Sequence, residues 1–595
     1  MITTTNRRPR GLVALAGAGI VALALTACTA DPAENGTGGE ATGGTITAAE
    51  VNELTSLNDA ESSSNLDING KVAYLTSSQF VYLDEALEFV PNETFGTVEL
   101  VSEDPLVVTY TINEGQVWSD GTQISADDLL LNWAVQSGYY NDATVDPESG
   151  EVTGGNSYFN YAGDTSGLGL SEYPEISDDN LSMTLTYTEP YADWQLVGTA
   201  LIGRPMHVIA EEAGVTIEEV REAFESTPRG NPDAPAEENA TIRAVADFWN
   251  TGYIMSEFPS NENLLVSSGA FILSAWEPTQ SITLERNPEY AGGLEPSYDS
   301  IVIRFIGDAN AQVTALQNGE VDIIKPQASA DTISSLEAIA DATVLQGDEF
   351  NYDHIDLSFS GVFADQNVRE AFLKTIPRQQ ILDAIVTPVN PEAAVLDSQI
   401  FVPTVGEAYD TSVAGNGSDA YAEVDIEGAR ELLAGATPTV NILYNSENPN
   451  RVDAFEAIAA SASEAGFIVE AQGTPEWGSL LGSGTYDASI FGWVSSGVGV
   501  AGVPQIFSTN GGGNYSGYSN PEVDALAQEL QTTIDPDAQI EIQQEIDALL
   551  FADAYGLPLF QGPGVTAHSS AVEGITQYPG QTGVFWNFWE WNVVG

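Results

Sequence analysis

Short apolar runs alternate with polar turns from about residue 65 onward, which predicts a globular fold without short internal repeats. Ala126–Gln136 has apolar residues at helical spacing. Ser125 is a good N-cap and Asp128 follows three positions later, so a helix is predicted to begin there. Residues 264–306 are strand-rich. Other strands of the first half are predicted at Lys71–Tyr74, Val107–Ile112 and Met183–Thr188.

Strands and helices alternate more regularly in the second half. Pro521 and Pro536 each follow a good N-cap residue and therefore predict helix starts. The other predicted helices are Ala309–Asn318, Asn367–Thr375 and Ala454–Glu464. The predicted strands are Val321–Ile324, Thr439–Tyr444, Ile468–Ala471 and Asp487–Trp493. Strands separated by helices indicate βα units around mixed sheets, so the predicted class is α/β.

The N-terminus has the pattern of a bacterial lipoprotein. Three arginines precede the apolar run Gly11–Leu25, which is shorter than the about 20 residues that a spanning helix needs. The residues before and including Cys28 look like a lipobox, so residues 1–27 are predicted to be a signal peptide and Cys28 to be lipidated. The alternative is an uncleaved anchor helix with an incidental cysteine. Residues 28–64 are predicted to be a flexible tether, which holds the protein at the extracytoplasmic side of the cell membrane.

Charge and cysteine content narrow the function further. The 595 residues contain 87 Asp and Glu against 16 Lys and Arg, for a net charge of −71. Such a surface repels phosphate, which excludes nucleic acid and attraction to an anionic membrane surface. With 43% hydrophobic residues the chain has material for real cores. Cys28 is the only cysteine, so no disulfides stabilise them.

The sequence lacks the usual catalytic and cofactor motifs. His207, His354 and His568 form no zinc-binding pattern, and each is interpreted as structural or surface. Neither a nucleophile elbow nor a Walker A loop is present. Residues 497–502 match G-x-G-x-x-G, but Pro504 and a run of glycines follow where a dinucleotide site needs a helix. We therefore predict a non-enzyme without metal or cofactor, and a flexible glycine-rich loop beside a binding cleft.

Five motifs in the right order, spread from Leu66 to Leu559, resemble the family 5 extracellular solute-binding proteins, the oligopeptide, dipeptide and nickel receptors of ABC importers. The most specific is the stretch VTYTINEGQVWSDGTQISADDLLLNW at Val108–Trp133, in which Trp118 is interpreted as fold scaffolding. The other motifs are Ser268–Phe271 with Ile282–Tyr290, Asp308–Asp322, Val368–Arg378 with Pro377 in place of the usual Asp, and Tyr518–Asp524.

The resemblance implies a two-lobed, periplasmic-binding-protein-like fold (type II, cluster C) with a discontinuous first lobe. The expected boundaries are 65–305 for the first lobe, with an insertion near 211–260, then 306–554 for the second lobe and 555–595 for the return. Ser300–Ile306 is the expected crossover strand and Tyr555–Phe560 the expected return. The aromatic C-terminus, Phe585–Trp591, is expected to form a closing strand buried in the first lobe. The resemblance also implies a monomer.

Departures from the family pattern concern the expected binding cleft. Peptide-binding members have an acid three residues after a Trp that corresponds to Trp493, but Ser496 stands there. Oligopeptide-type members have an Arg three residues before it, but Ile490 stands there. Losing the acid should weaken binding of a peptide ammonium group. The candidate ligand-binding residues are Trp493 as a stacking platform, Ser496, Ile490, Val494 and Gly497, and the expected cleft is neutral and glycine-rich.

Two functions from different classes stay open. The first is a lipid-anchored receptor that captures a peptide-like, neutral or amphipathic solute by hinge closure and delivers it to an ABC permease. The second is an envelope lipoprotein that has left transport and binds a lipid or glycolipid on the same fold. An exported hydrolase, a third class, has no supporting motif.

Overall fold

The computed structural model describes residues 43–85, 87–145, 152–163, 165, 167–494, 498–509 and 511–594. The predicted signal peptide and Cys28 lie outside the described residues. Among the residues that are described, no helix combines the length and the apolar character that crossing a bilayer requires.

The strands are β1 Thr45–Glu50, β2 Val81–Leu83, β3 Phe89–Pro91, β4 Gly96–Glu103, β5 Leu106–Ile112, β6 Thr144–Val145, β7 Val152–Gly154, β8 Glu175–Ile176, β9 Ser182–Thr186, β10 Phe271–Glu277, β11 Ser281–Arg286, β12 Ser300–Phe305, β13 Ile323–Ile324, β14 Ala342–Leu357, β15 Thr439–Tyr444, β16 Ile468–Gly473, β17 Ala488–Val494, β18 Gly556–Ser569, β19 Val572–Glu573 and β20 Asn592–Val593.

The α-helices are α1 Asp67–Thr76, α2 Ala126–Ser137, α3 Val197–Ala200, α4 Met206–Ala213, α5 Ile217–Ser226, α6 Ala240–Thr251, α7 Ala309–Gln317, α8 Ala330–Glu337, α9 Gln366–Leu373, α10 Arg378–Ile385, α11 Glu407–Val413, α12 Ile426–Leu433, α13 Pro449–Ala465, α14 Trp477–Leu480, α15 Gly502–Phe507, α16 Pro521–Thr532 and α17 Pro536–Ala552. The 3₁₀ helices are Ser62–Ser64, Leu168–Leu170, Trp194–Leu196, Glu262–Leu265, Gly361–Ala364, Pro403–Val405, Ser418–Tyr421 and Gly583–Glu590.

One mixed sheet runs through the molecule in the order β10-β11-β12-β1-β13-β18-β14-β17-β15-β16. β1 lies near its middle, parallel to both β12 and β13. Ile46 and Ala48 of β1 are almost completely buried. The tether prediction is therefore wrong for the part of 28–64 that contains β1 and the 3₁₀ helix Ser62–Ser64, because these residues belong to the folded body.

Two long antiparallel strands, β14 and β18, carry the sheet from one half to the other. Their pairing runs from Ala342 to Asp348, is interrupted, and resumes at Tyr352 with a shifted register. We call residues 349–351 and 562 the crossing, residues 43–348 with 563–594 the first lobe, and residues 352–561 the second lobe. The predicted return strand lies within β18.

The expected crossover at Ser300–Ile306 is wrong. β12 pairs with β11 and β1 and stays inside the first lobe. β13 pairs with β1 and β18, so the chain does not enter the second lobe at residue 306 as expected. It enters only within β14. The apolar pattern of a segment predicts a strand, but it does not show whether that strand crosses between the lobes or stays within one of them.

Each lobe has its own apolar core. The first-lobe core joins α2, the sheet β4-β5-β9-β8 and the C-terminal aromatic residues Phe585, Phe588 and Trp591. Those aromatic residues are buried as expected, but they lie in or directly after the 3₁₀ helix Gly583–Glu590 rather than in a strand. The second-lobe core is formed around β15 and β17 with α9, α10, α12 and α13.

One other local prediction for the first lobe is wrong. Lys71–Tyr74 is part of α1 rather than a strand, because Ile68, Val72 and Leu75 recur at helical spacing and form its buried face. The segment near 211–260, where an insertion is predicted, contains α5 and α6 joined by an exposed linker. α5 and α6 bury Val220, Phe224, Ile242 and Trp249 in the first-lobe core, and mainly the linker between them is exposed.

Asp128 explains the scaffolding role of the most specific motif. Its carboxylate accepts hydrogen bonds from Trp118 Nε1 (3.3 Å), from Ser125 N (2.9 Å) and from Met206 N (2.9 Å). One buried side chain thus fixes the Trp118 turn, completes the capping box of α2 and holds the start of α4. Burial raises the pKa of Asp128, and these hydrogen bonds partly offset that effect.

Replacing Asp128 by Ala should lower the free energy of unfolding by about 3 kcal/mol, because three buried N–H donors lose their acceptor. Urea unfolding followed by circular dichroism measures the change. Asp453→Ala, on an exposed position of α13, is the control and should change stability by less than about 0.5 kcal/mol. Equal stability of the two variants would contradict the scaffolding role of Asp128.

Candidate functional site

A cavity of about 990 Å³ opens where the two crossing strands stop pairing. Its lining includes Glu349, Phe350 and Asn351 from β14 and Pro563 and Gly564 from β18. This is the stretch over which the β14–β18 register is broken. Glycine is needed at both positions of β18 here, since side chains on Gly562 and Gly564 would overlap the side chains of Asn351 and Glu349. We call this space the crossing cavity.

Lys71 and Lys325, two of the three lysines in the chain, line the crossing cavity. Lys71 Nζ lies 2.6 Å from Glu50 Oε2 and 3.4 Å from Asp67 Oδ2. Burial lowers the pKa of Lys71, but the carboxylates of Glu50 and Asp67 more than compensate, so its pKa is raised and the amine stays charged. Lys325 Nζ lies 2.9 Å from Glu349 Oε2.

Gly583 lies next to the side chains of both lysines. A Cβ built on Gly583 would lie 3.8 Å from Lys71 Cε and 3.9 Å from Lys325 Nζ. Its φ of +55° also lies in the left-handed region that favours glycine. The C-terminal 3₁₀ helix therefore begins directly beside both amines, and the neighbouring Thr582 lines the cavity.

The remaining walls of the crossing cavity are amide and aromatic. Tyr578 and Trp586 stack with ring centroids 5.2 Å apart, and Phe350 belongs to the same apolar cluster. This cluster also includes Val402 and Val498, so it joins the two lobes. The side-chain amides that line the cavity are Gln79, Gln312, Gln327, Asn351 and Gln581.

The crossing cavity is not neutral, and the neutral, glycine-rich cleft around Trp493 stays a prediction. Its lining carries Lys71 and Lys325 together with Glu50, Asp67 and Glu349. The candidate ligand-binding residues predicted from the sequence all lie near Trp493. They do not include these charged residues, which lie far apart in the chain. The signal that could have found the two lysines is their rarity, because a strongly acidic chain retains few cations.

The glycine-rich loop binds a carboxylate of its own chain. Asp193, in the first lobe, accepts hydrogen bonds from Val500 N (2.9 Å) and Ala501 N (3.1 Å) just before α15. Gly499 has a φ of +79°, and a Cβ there would come within 3.0 Å of Asp193 Oδ2. The match to a dinucleotide fingerprint therefore corresponds to a contact between the lobes, and Val498 of the same loop lines the crossing cavity.

Trp493, the predicted stacking platform, lies on β17 beside the crossing. Trp493 pairs with Tyr352 in the sheet, and its ring is nearly parallel to those of His354 and Tyr515, with centroids 6.4 and 5.8 Å away. Trp493 is not part of the described lining of the crossing cavity, and its role as a stacking platform stays a prediction.

The other four predicted ligand-binding residues have different outcomes. Ile490 is completely buried in the second-lobe core, and its contact with a ligand stays a prediction. The backbone of Val494 pairs with Asn351, which does line the cavity. Ser496 and Gly497 lie outside the described residues.

The three histidines have local partners. His207 Nε2 lies 2.9 Å from Asp120 Oδ2, His354 Nδ1 lies 2.8 Å from Asp356 Oδ1, and His568 Nδ1 lies 3.0 Å from the Ser569 carbonyl oxygen. Within the described part of the chain, no group of three or more His, Cys, Asp or Glu side chains could hold a metal ion.

Two lobes that share a sheet through two long strands, with a cavity at the crossing, define a two-lobed solute-binding protein. The family "Bacterial extracellular solute-binding proteins, family 5 Middle" matches residues 97–515, which is more than half of the chain, and the chain belongs to this family. The matched proteins are substrate-binding components of transporters and are not enzymes.

Similar proteins agree with this family. The oligopeptide-binding protein OppA of Mycobacterium tuberculosis is 25% identical over 505 residues, which cover 81% of this chain and 74% of OppA. An uncharacterised lipoprotein of Mycobacterium leprae is 24% identical over 525 residues, covering 85% of this chain and 86% of the lipoprotein.

Solved structures share the fold. The periplasmic EDTA-binding protein EppA has a TM-score of 0.78 at 21% identity, and the match covers 94% of this chain and 98% of EppA. The oligopeptide-binding protein AppA of Bacillus subtilis, in complex with a nonapeptide, has a TM-score of 0.62 at 18% identity. That match covers 93% of this chain and 99% of AppA.

Replacing Asp193 by Ala should loosen the contact between the lobes, because two backbone N–H groups of the glycine-rich loop lose a charged acceptor worth about 1.5–3 kcal/mol per hydrogen bond. The ligand-free variant should show a larger radius of gyration in small-angle X-ray scattering. Asp178→Ala, an exposed first-lobe carboxylate, is the control. An unchanged radius in both variants would show that this contact does not hold the lobes together.

Proposed function

We propose that this chain is a lipid-anchored receptor on the extracytoplasmic side of the membrane, which captures a peptide-class solute in the crossing cavity and presents it to an ABC permease. The observation that carries the proposal is the composition of the cavity wall. It combines opposite charges with side-chain amides at the point where the two lobes meet.

Peptide chemistry fits this wall better than lipid chemistry does. A peptide brings an ammonium group, a carboxylate and a backbone whose N–H and C=O groups need partners. The carboxylates of Glu50, Asp67 and Glu349 suit the ammonium group. Lys71 and Lys325 suit the carboxylate. The five side-chain amides suit the peptide backbone whatever the sequence of the peptide. The stacked pair Tyr578 and Trp586 supplies an apolar surface for a side chain.

The cavity volume is consistent with a small peptide. Ligand cavities commonly measure about 300–1,000 Å³, and the crossing cavity has about 990 Å³. Because its wall contains Val498 of the second lobe as well as many first-lobe residues, a bound solute would contact both lobes. A solute with contacts in both lobes favours the state in which they are close, and this differential affinity is the closing force.

Lys325→Met should weaken peptide binding by about tenfold, because a cation that faces the cavity is lost and Glu349 is left unpaired. The full chain in mild detergent is incubated with pooled peptides of two to eight residues, and native mass spectrometry identifies those that stay bound. Lys374→Met is the matched control, because Lys374 pairs with Asp425 in the second lobe and lies outside the described lining of the cavity.

A ladder of retained peptides that Lys325→Met reduces and Lys374→Met leaves intact supports the peptide receptor. Retention of no peptide, together with a single co-purified lipid or glycolipid mass, would contradict it and favour the envelope lipoprotein without a transport role. Equal losses in the two variants would contradict the role given to Lys325.

Cys28→Ala should release the chain from the membrane, because a lipid on this residue is the anchor that the sequence predicts. Membrane and soluble fractions are compared by immunoblotting, with incorporation of a labelled fatty acid as the second readout. Ser62→Ala, a serine of the folded body, is the control. A Cys28→Ala chain that stays in the membrane fraction and still takes up label would contradict the anchor.

A further inference from the structure

A second cavity, of about 450 Å³, adjoins the crossing cavity on the first-lobe side. The two cavities have six lining residues in common and therefore share a boundary. These residues are Asp67, Tyr74, Gln79, Thr199, Gln581 and Thr582. Every other residue that lines the smaller cavity within the described chain also belongs to the first lobe. We call this space the side cavity.

Arg204 lines the side cavity and is itself only 5% exposed. Its backbone position is fixed from both sides. A Cβ on the preceding Gly203 would overlap the amide oxygen of Asn132, so the chain approaches α2 closely there. On the other side Met206 N is bound to Asp128, at the start of α4. The guanidinium is thus held in place by the scaffold of the first lobe.

The guanidinium has few partners for a buried cation. Among the described residues its one hydrogen bond goes from Nη2 to Ser77 Oγ, at 3.2 Å, and its Cζ lies 5.8 Å from the centre of the Tyr253 ring. A guanidinium has five N–H donors, and a buried charge is costly unless those donors are paired. The hydroxyl of Tyr253 is also buried without a hydrogen-bond partner.

Asp59 and Asp67 are the acids that line the side cavity with Arg204, and among the described residues neither forms an ion pair with it. Burial lowers the pKa of Arg204, and the nearby Tyr253 and Asp59 partly offset that effect. Burial raises the pKa of Asp59, and the charge of Arg204 partly offsets it. With one hydrogen bond among the described residues, the guanidinium has further N–H donors for a third group.

We propose that the side cavity is a carboxylate subsite, in which Arg204 binds a carboxylate of the captured solute while the rest of the solute lies in the crossing cavity. Arginine suits this role because its planar fork matches a carboxylate in two parallel hydrogen bonds. The inference rests on the proposed peptide receptor and places the C-terminal carboxylate of the solute at Arg204 rather than at Lys71 or Lys325.

The test compares matched peptide pools that differ only at the C-terminus, one with free carboxylates and one with amides. The full chain in mild detergent should retain the free acids at least tenfold better than the amides, and Arg204→Gln should remove this preference. Arg204→Lys keeps a charge without the fork and should keep part of the preference. Arg304→Gln, which loses only a surface pair with Glu320, is the control.

Outcomes for the subsite and for the peptide receptor are separable. Equal retention of acids and amides by the unmodified chain overturns the subsite and leaves the peptide receptor standing. If no peptide of either pool is retained, the peptide receptor is contradicted. The subsite is then tested separately by NMR line broadening of ¹³C-labelled acetate, with acetamide as the neutral isostere. Broadening of acetate alone that disappears in Arg204→Gln supports it, and equal behaviour of the two probes overturns it.

Should Arg204→Gln fail to fold, judged by circular dichroism, the acid-over-amide preference of the unmodified chain and its reduction in Arg204→Lys carry the test. A structural role of Arg204 alone would lower stability without making retention depend on the C-terminal carboxylate.

Discussion

The antiparallel pair β14 and β18 is the constraint on which the rest of the structure depends. Either strand alone is long enough to belong to both lobes, and their pairing fixes the sheet on each side. The ladder is interrupted at the crossing, where residues 349–351 of β14 stand opposite residue 562 of β18 and the side chains of Asn351 and Glu349 occupy the space beside Gly562 and Gly564. The crossing cavity opens at this interruption.

Charge gives the cavities their chemistry. The chain has a net charge of −71, so its carboxylates repel one another and cations are rare. The position of each buried cation therefore indicates where a negatively charged group can be held. Lys71 and Lys325 meet beside Gly583 at the crossing cavity, and Arg204 lies in the space next to it. Each of these cations faces at least one carboxylate, so the wall carries paired rather than uniform charge. Such a wall suits a solute that itself carries both signs.

Local patterns predicted most of the regular elements, and long-range pairing explains what they missed. The capping box of α2, the strand Thr439–Tyr444 and the proline-initiated helices α16 and α17 depend on neighbours in sequence, so they could be predicted. β1 could not, since its residues resemble the polar, small-residue segment before it and become a strand only between β12 and β13. The residues of the crossing cavity could not be predicted, because Lys71, Lys325 and Thr582 are distant in sequence and come together only through the order of strands in the sheet.

The glycine-rich loop connects the crossing cavity with the contact between the lobes. Val498 lines the crossing cavity, and two residues later Val500 N donates its hydrogen bond to Asp193 of the first lobe. A solute that packs against Val498 therefore acts on a loop whose backbone already bridges the lobes. The geometry at Gly499 allows little room for adjustment, because any Cβ there would press on Leu196 and Asp193. Solute contact and lobe contact thus share one short segment, so an interaction that orders this segment stabilises both at once.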